Sequence, residues 1–176
     1  MRKAIFCDKK GYTLIELIVV LVLVGMMLTL AAPRLRNALL TDDLKGVARK
    51  MIGIINSLRN EAIREQRDYS LHFDLDANRF WVSYGSMTEE ERAVANEEGS
   101  SLPRDIRIHD VWIKGEGKMV RGATRIRFTR RGYTQKSAIH LSSEDGRELT
   151  LVLSPFLGKI KVINKYVDLE IQGLRD

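Results

Sequence analysis

Three hydrophobic regimes follow one another along the chain. Across residues 12–32 nearly every position is apolar or small, and Glu16 is the only charge. From residue 40 onward apolar side chains recur every three or four positions, at Leu40, Leu44, Val47, Met51, Ile54, Leu58 and Ala62, with Arg, Lys, Asp and Asn between them. That spacing predicts a helix running to about Arg67 with one buried stripe. Beyond Arg67 the period becomes two: residues 69–75, 80–84, 106–113, 125–128, 138–141, 148–153, 159–164 and 167–171 are rich in Val, Ile, Phe, Tyr and Trp and read as strands. Turn formers at Asp76-Ala77-Asn78, Asp145-Gly146 and Leu157-Gly158 favour antiparallel hairpins. The expected fold is α+β, a long amino-terminal helix whose stripe packs on an antiparallel β-sheet domain of two small sheets. Gly46, Gly53 and Asn56 interrupt the helix and speak against a coiled coil.

The apolar run comprises 21 residues, and a helix of that length at ~1.5 Å rise spans the ~30 Å hydrocarbon core of a bilayer. Arg2, Lys3, Lys9 and Lys10 precede it against Asp8, and Arg34 and Arg36 follow; the bias is toward a cytoplasmic amino terminus, blunted by the two arginines. A secretory signal peptide would be cut after small residues that end the apolar run, and Ala31-Ala32-Pro33 would put proline directly behind the scissile bond. An uncleaved signal anchor is the plain alternative, and it leaves Glu16 unexplained. A carboxylate at mid-bilayer costs about 2.5 kcal/mol or more, less near the interface, and calls for a partner. Cleavage between Gly11 and Tyr12 would supply one, the new α-amino group of a neighbouring helix.

The run Lys9-Lys10-Gly11-Tyr12-Thr13-Leu14-Ile15-Glu16 ahead of an apolar stretch resembles the class III signal of type IV pilins and pseudopilins. The resemblance implies that a prepilin peptidase cuts after Gly11, that Tyr12 is then N-methylated, and that Glu16 pairs with the amino terminus of an adjacent subunit during filament assembly. Gly25 and Pro33 fall where that family carries a helix-weakening glycine and a proline. Their intrinsic effect agrees, since Gly costs a helix about 1 kcal/mol and Pro removes a ladder hydrogen bond. Tyr12 departs from the family's usual phenylalanine. Farther along, the 59–64 segment Arg-Asn-Glu-Ala-Ile-Arg and the 153–162 segment Leu-Ser-Pro-Phe-Leu-Gly-Lys-Ile-Lys-Val resemble the H-type minor pseudopilin, GspH, of type II secretion, to which the FimT-type minor pilins are related.

On this resemblance the chain divides into a leader peptide (1–11), a transmembrane or filament-core helix (12–33), an amphipathic helix (34–67) and a periplasmic β-rich globular domain (68–176). It implies a structural subunit and not an enzyme: a minor pseudopilin in the tip region of a periplasmic pseudopilus that drives protein export through the outer membrane. Such a subunit sits in the bacterial inner membrane, single-pass with a cytoplasmic amino terminus, until it is extracted into the filament. Its partners would be other major and minor pseudopilins, the prepilin peptidase, the inner-membrane assembly platform and the secreted substrate. The alternative is a FimT-like minor pilin of a type IV pilus, serving pilus assembly or DNA uptake.

Composition narrows the chemistry. Cys7 is the only cysteine, so no intrachain disulfide is available and the fold must hold by packing. The formal charge is +6, and loss of residues 1–11, with four basic and one acidic side chain, leaves +3, which does not by itself point to nucleic acid. His72, His109 and His140 have no second His or Cys at ligand spacing and are expected singly, on the surface or along strands. Asp74 with Asp76, and Glu144 with Asp145, sit beside turns and read as turn chemistry rather than as a calcium site, which takes six or more oxygens. No cofactor and no metal is expected.

Two charged stretches remain. Residues 85–105 hold Glu89, Glu90, Glu91, Glu97 and Glu98 with few strand formers and read as a long loop. Residues 114–136 hold Lys114, Lys118, Arg121, Arg125, Arg127, Arg130, Arg131 and Lys136, opposed only by Glu116. With Ile126 and Phe128 inward, Arg125 and Arg127 share an outer face. The two stretches are either a solvated face beside a mobile loop, complementary subunit contacts, or a DNA-binding surface. DNA would also engage Lys159 and Lys161, because Gly158-Lys159-Ile160-Lys161 has the spacing of a basic Gly-Arg-x-Arg motif of FimT-type pilins, with lysines lacking the guanidinium fork. The acidic close of the chain, Asp168, Glu170 and Asp176 against Arg175, speaks against nucleic acid.

Overall fold

In a computed structural model the described residues are 14–155 and 159–169, without the side chains of 30–42. The chain divides between Leu39 and Leu40 into two units. Helix α1 runs Leu14–Glu65. Within the second unit its buried side chains are Leu44, Ala48, Met51, Ile55, Leu58 and Ala62. Val47 and Ile54, expected in the stripe, are only partly buried beside it. Positions 48 and 55 lie on one flank of the stripe and 47 and 54 on the other, and the sheets cover the first flank more deeply. α1 ends where Gln66 takes a left-handed φ of 53° and its side-chain amide donates to the Ile63 carbonyl at 2.7 Å, satisfying a terminal carbonyl.

The strands and the second helix follow as β1 Tyr69–Asp74, β2 Arg79–Tyr84, α2 Glu89–Glu97, β3 Ser100–Ser101, β4 Ile106–Ile113, β5 Gly117–Met119, β6 Ala123–Phe128, β7 Ser137–Ser143, β8 Glu148–Leu153 and β9 Ile160–Ile163. They form a four-stranded sheet ordered β3-β2-β1-β6 and a five-stranded sheet ordered β5-β4-β7-β8-β9. The inner faces supply Leu71, Phe73, Ile126 and Phe128 from the first sheet and Ile106, Val111, Ile139, Leu141, Leu151 and Leu153 from the second. These join the α1 stripe in one hydrophobic cluster. A bulge between Ile108 and Asp110 shifts the alternation of β4, so that Ile106 and Ile108 before it and Val111 and Ile113 after it all enter this core. Asn78, in the β1–β2 turn with φ 52°, donates to the Ile106 carbonyl at 2.7 Å and accepts from Ile108 N at 3.0 Å, stitching one sheet to the other.

Two expectations are corrected. Residues 85–105 are not a structureless loop. Thr88 Oγ1 accepts from Glu91 N at 3.2 Å and Glu91 Oε2 accepts from Thr88 N at 2.7 Å, a capping box that starts α2. The acidic first turn that looked like loop composition favours a helix N-terminus. A strand over 167–171 is absent at its described positions 167–169, because the Val167 backbone bonds to side chains of β7 and β8 instead of a neighbouring strand. His140 lies on a strand, one of the two places expected for it. It is buried against Asp110. The Leu157-Gly158 turn lies outside the described residues.

Candidate assembly surfaces

The described side chains of α1 from 14 to 29 are all exposed, among them Leu14, Ile15, Leu17, Leu21, Leu23 and Met27. A contiguous apolar surface of this kind marks a membrane or protein interface. Glu16 stands in its first turn, and the helical backbone continues through Gly25 and Pro33. No helix among the described residues is long and apolar enough to cross a membrane, and the described side chains cover only part of the 12–32 run. The cleavage pair Gly11 and Tyr12 lies outside the described residues.

On the second unit the outer face of the first sheet is built in cross-strand rows. His72 on β1 is flanked by Trp81 on β2 and Arg125 on β6, and Ser70 by Ser83 and Arg127. The His72 ring stacks on Trp81 with centroids 5.1 Å apart and planes 10° from parallel, and its Nε2 lies 2.8 Å from Ser83 Oγ. Burial, then Arg125 and Arg92, push the His72 pKa below its ordinary value. α2 rises beside this floor, its far end tied down by Arg79, which donates to Asn96 Oδ1 and lies 5.4 Å from the Trp81 ring. Between α2 and the rows lies an open cleft of about 540 Å³. Arg92 is paired with Glu89 at 2.9 Å. Asp68 Oδ1 accepts from the Arg130 backbone N at 2.9 Å. Arg125 and Arg127 are exposed and have no ion-pair partner among the described residues.

The outer face of the second sheet is closed. Its row runs Asp110, His140, Thr150 across β4, β7 and β8, and the segment Lys165-Tyr166-Val167 covers it. His140 Nδ1 lies 2.6 Å from Asp110 Oδ1 and its Nε2 2.9 Å from the Val167 carbonyl. A carbonyl only accepts, so the contact to Val167 has Nε2 as its donor, and Nδ1 faces the Asp110 carboxyl. Thr150 Oγ1 donates to the Lys165 carbonyl at 2.7 Å and accepts from Val167 N at 3.2 Å, and Tyr166 stacks on His140 at 4.2 Å. His109 and Lys118 each approach Asp110 Oδ2 at 3.9 Å. No metal-binding group of three His, Cys, Asp or Glu occurs among the described residues.

Of the charged residues singled out in the sequence, the fold brings Glu89, Arg125 and Arg127 into one cleft. It leaves Glu90, Glu91, Arg130, Arg131, Lys159 and Lys161 outside its lining, with these six exposed. Arg92, Trp81 and His72 also line the cleft and were not anticipated there. The strict alternation Ser70/His72 and Trp81/Ser83 was the available signal, since period two places each pair on one face.

Residues 47–157, more than half of the chain, match the family model described as "Type II transport protein GspH". This chain belongs to the GspH family. Residues 7–32 match the "Prokaryotic N-terminal methylation motif", a span that encloses Gly11, Tyr12, Glu16 and Gly25. Among curated proteins, the "Type II secretion system protein H" of Pseudomonas aeruginosa is 35% identical over 68 residues, which are 39% of this chain and 40% of the relative. The match thus spans less than half of that relative's length. Among solved structures, the minor pseudopilin EPSH of the Vibrio cholerae type II secretion system is matched with a TM-score of 0.52 at 13% identity, over 72% of this chain and 97% of that one. A second structure of EpsH from Vibrio cholerae gives 0.50 at 13% identity, over 70% and 98%. The two structures share the fold, an amino-terminal helix followed by antiparallel sheets. GspH proteins are structural pseudopilins, and the comparisons do not favour the type IV pilus alternative.

Proposed function

We propose that the chain is a minor pseudopilin, a structural subunit of the periplasmic pseudopilus of a type II secretion system. The observation that carries the reading is the pairing, in one chain, of an amino-terminal methylation motif over 7–32 with a GspH domain over 47–157. The protein is anchored in the inner membrane by its amino-terminal helix, with the β-rich domain in the periplasm. A prepilin peptidase cuts between Gly11 and Tyr12, Tyr12 becomes the methylated amino terminus, and the assembly platform passes the subunit into a filament of major and minor pseudopilins that acts on secreted substrates. Gly25 and Pro33 soften the helix where it packs among its neighbours. Charged contacts between heads would use Glu89, Glu90, Glu91, Arg125, Arg127, Arg130 and Arg131. The Lys159 and Lys161 pair is the remaining route to DNA and carries no independent support.

Glu16 is the residue on which assembly turns in this reading. Moving from lipid to other apolar helices changes dispersion little, so packing alone discriminates poorly between axial registers. A carboxylate that meets a neighbour's amino terminus in one register supplies the discrimination, because breaking a buried ion pair costs about 3–5 kcal/mol. Glu16→Leu is expected to be cleaved and retained in the membrane, yet to co-purify poorly with its partner pseudopilins and to depress secretion. Wild-type co-purification and secretion from Glu16→Leu would overturn this role.

A further inference from the structure

The cleft between α2 and the first sheet has the makings of a recognition site independent of the amino-terminal helix. Arg125 and Arg127 stand two positions apart on one strand and point to the same side. Residues two apart on a strand are separated by about 6.4–6.8 Å, the same distance that separates alternate side chains of an extended peptide. Neither guanidinium has an ion-pair partner among the described residues. Two other charged groups of the lining are already engaged, Arg92 by Glu89 and Asp68 by the Arg130 backbone. Beside the arginines the parallel His72–Trp81 stack offers a flat surface, with the His72 pKa held low by burial and by Arg125 and Arg92, so that this surface is uncharged at neutral pH. At about 540 Å³ the cleft admits a few side chains, and it is open.

We propose that this cleft docks an extended acidic segment of another polypeptide, with carboxylates at alternate positions paired to Arg125 and Arg127 and an intervening apolar side chain laid on Trp81 and His72. Guanidinium groups favour carboxylates because two parallel N–H donors meet two oxygens. A nucleic-acid strand fits less well. It carries a charge on every residue and would have to run past Glu89, Glu90 and Glu91, which crowd the first turn of α2, whereas an alternating peptide can place its uncharged residues there. The inference rests on the cleft alone and holds or fails whatever filament the chain joins.

The test uses the full chain in detergent micelles and three probes: the blocked peptide Ac-Glu-Leu-Glu-Leu-Glu-amide, its glutamine counterpart, and an oligothymidylate of eight nucleotides. Calorimetry reads affinity, and intrinsic fluorescence reads the site, because Trp81 lies in the cleft while Trp112 is buried. The glutamate peptide is expected to bind one to one, perturb Trp81, and weaken as salt rises. Arg125→Ala with Arg127→Ala should weaken it by about tenfold or more, and Arg125→Lys with Arg127→Lys by less, since charge survives without the fork. Both positions are exposed, and an unchanged melting temperature checks that the variants remain folded. Equal binding of the glutamine peptide, tighter binding of the oligothymidylate, or no loss of affinity in the alanine variant would each overturn the proposal.

Discussion

Each sheet carries a histidine at the centre of a row on its outer face, and the two rows have opposite fates. Around His72 the flanking residues are Trp81 and Arg125, and α2 stands to one side, so the row floors an open cleft. Around His140 they are Asp110 and Thr150, and Lys165-Tyr166-Val167 lies over them, leaving Asp110 0% and His140 2% exposed. One ring is kept neutral by burial beside arginines. The other donates to a carbonyl and faces a buried carboxylate. Strand position is the same in both; what covers the row decides whether its polar groups become a surface for partners or an internal brace.

The strongest way to break the contrast is to remove the acid from the closed row. Asp110→Ala leaves the buried His140 without the carboxyl group it faces and is expected to lower the unfolding free energy by about 3 kcal/mol, whereas Arg125→Ala on the open row should stay within about 0.5 kcal/mol. Urea unfolding of the two variants side by side measures the difference. Thr150→Val keeps the shape but deletes the hydroxyl that latches Lys165 and Val167. A loss of about 1–3 kcal/mol is expected, with faster amide exchange at Val167; unchanged exchange there would mean that the covering segment is held by Tyr166 packing and the His140 bond to the Val167 carbonyl. Thr88→Ala removes the α2 cap at a cost of about 1 kcal/mol, felt locally. Amide exchange should quicken through α2 while the core strands keep their protection.

The smallest effect is a titration. Because the His72 pKa lies below its ordinary value of 6.5, the folded state binds fewer protons there than the unfolded chain. The stability it contributes is therefore complete above about pH 6.5 and declines as pH falls from there through the folded-state pKa. Arg125→Gln removes one cause of the depression, so the His72 resonances should titrate at higher pH and the decline in stability should flatten. An unshifted titration would show that burial and Arg92 set the value without Arg125.

Much of this molecule could be read locally. The uninterrupted apolar run, the change of period near Arg67, and the inward Ile126 and Phe128 against outward Arg125 and Arg127 are properties of short windows, where side-chain direction follows from helix or strand geometry alone. Even α2, misread as loop, had its signal in place, since Thr88 and Glu91 are spaced as a capping box and the glutamates behind Thr88 suit a helix start. The weight of acidic residues concealed it.

By itself, then, the sequence determined the apolar amino-terminal segment with its lone Glu16, the helix-then-sheet order and the faces of individual strands, because each depends on neighbours within a few residues. Tertiary structure decided which faces meet. It paired Asp110 with His140 across 30 positions, drew Val167 over them, and set Trp81, Arg92 and Arg125 around one cleft. No local pattern encodes those contacts. They arise when α1 buries its stripe and the two sheets close on it, a step that fixes strand order and register together and leaves one outer face covered and the other open.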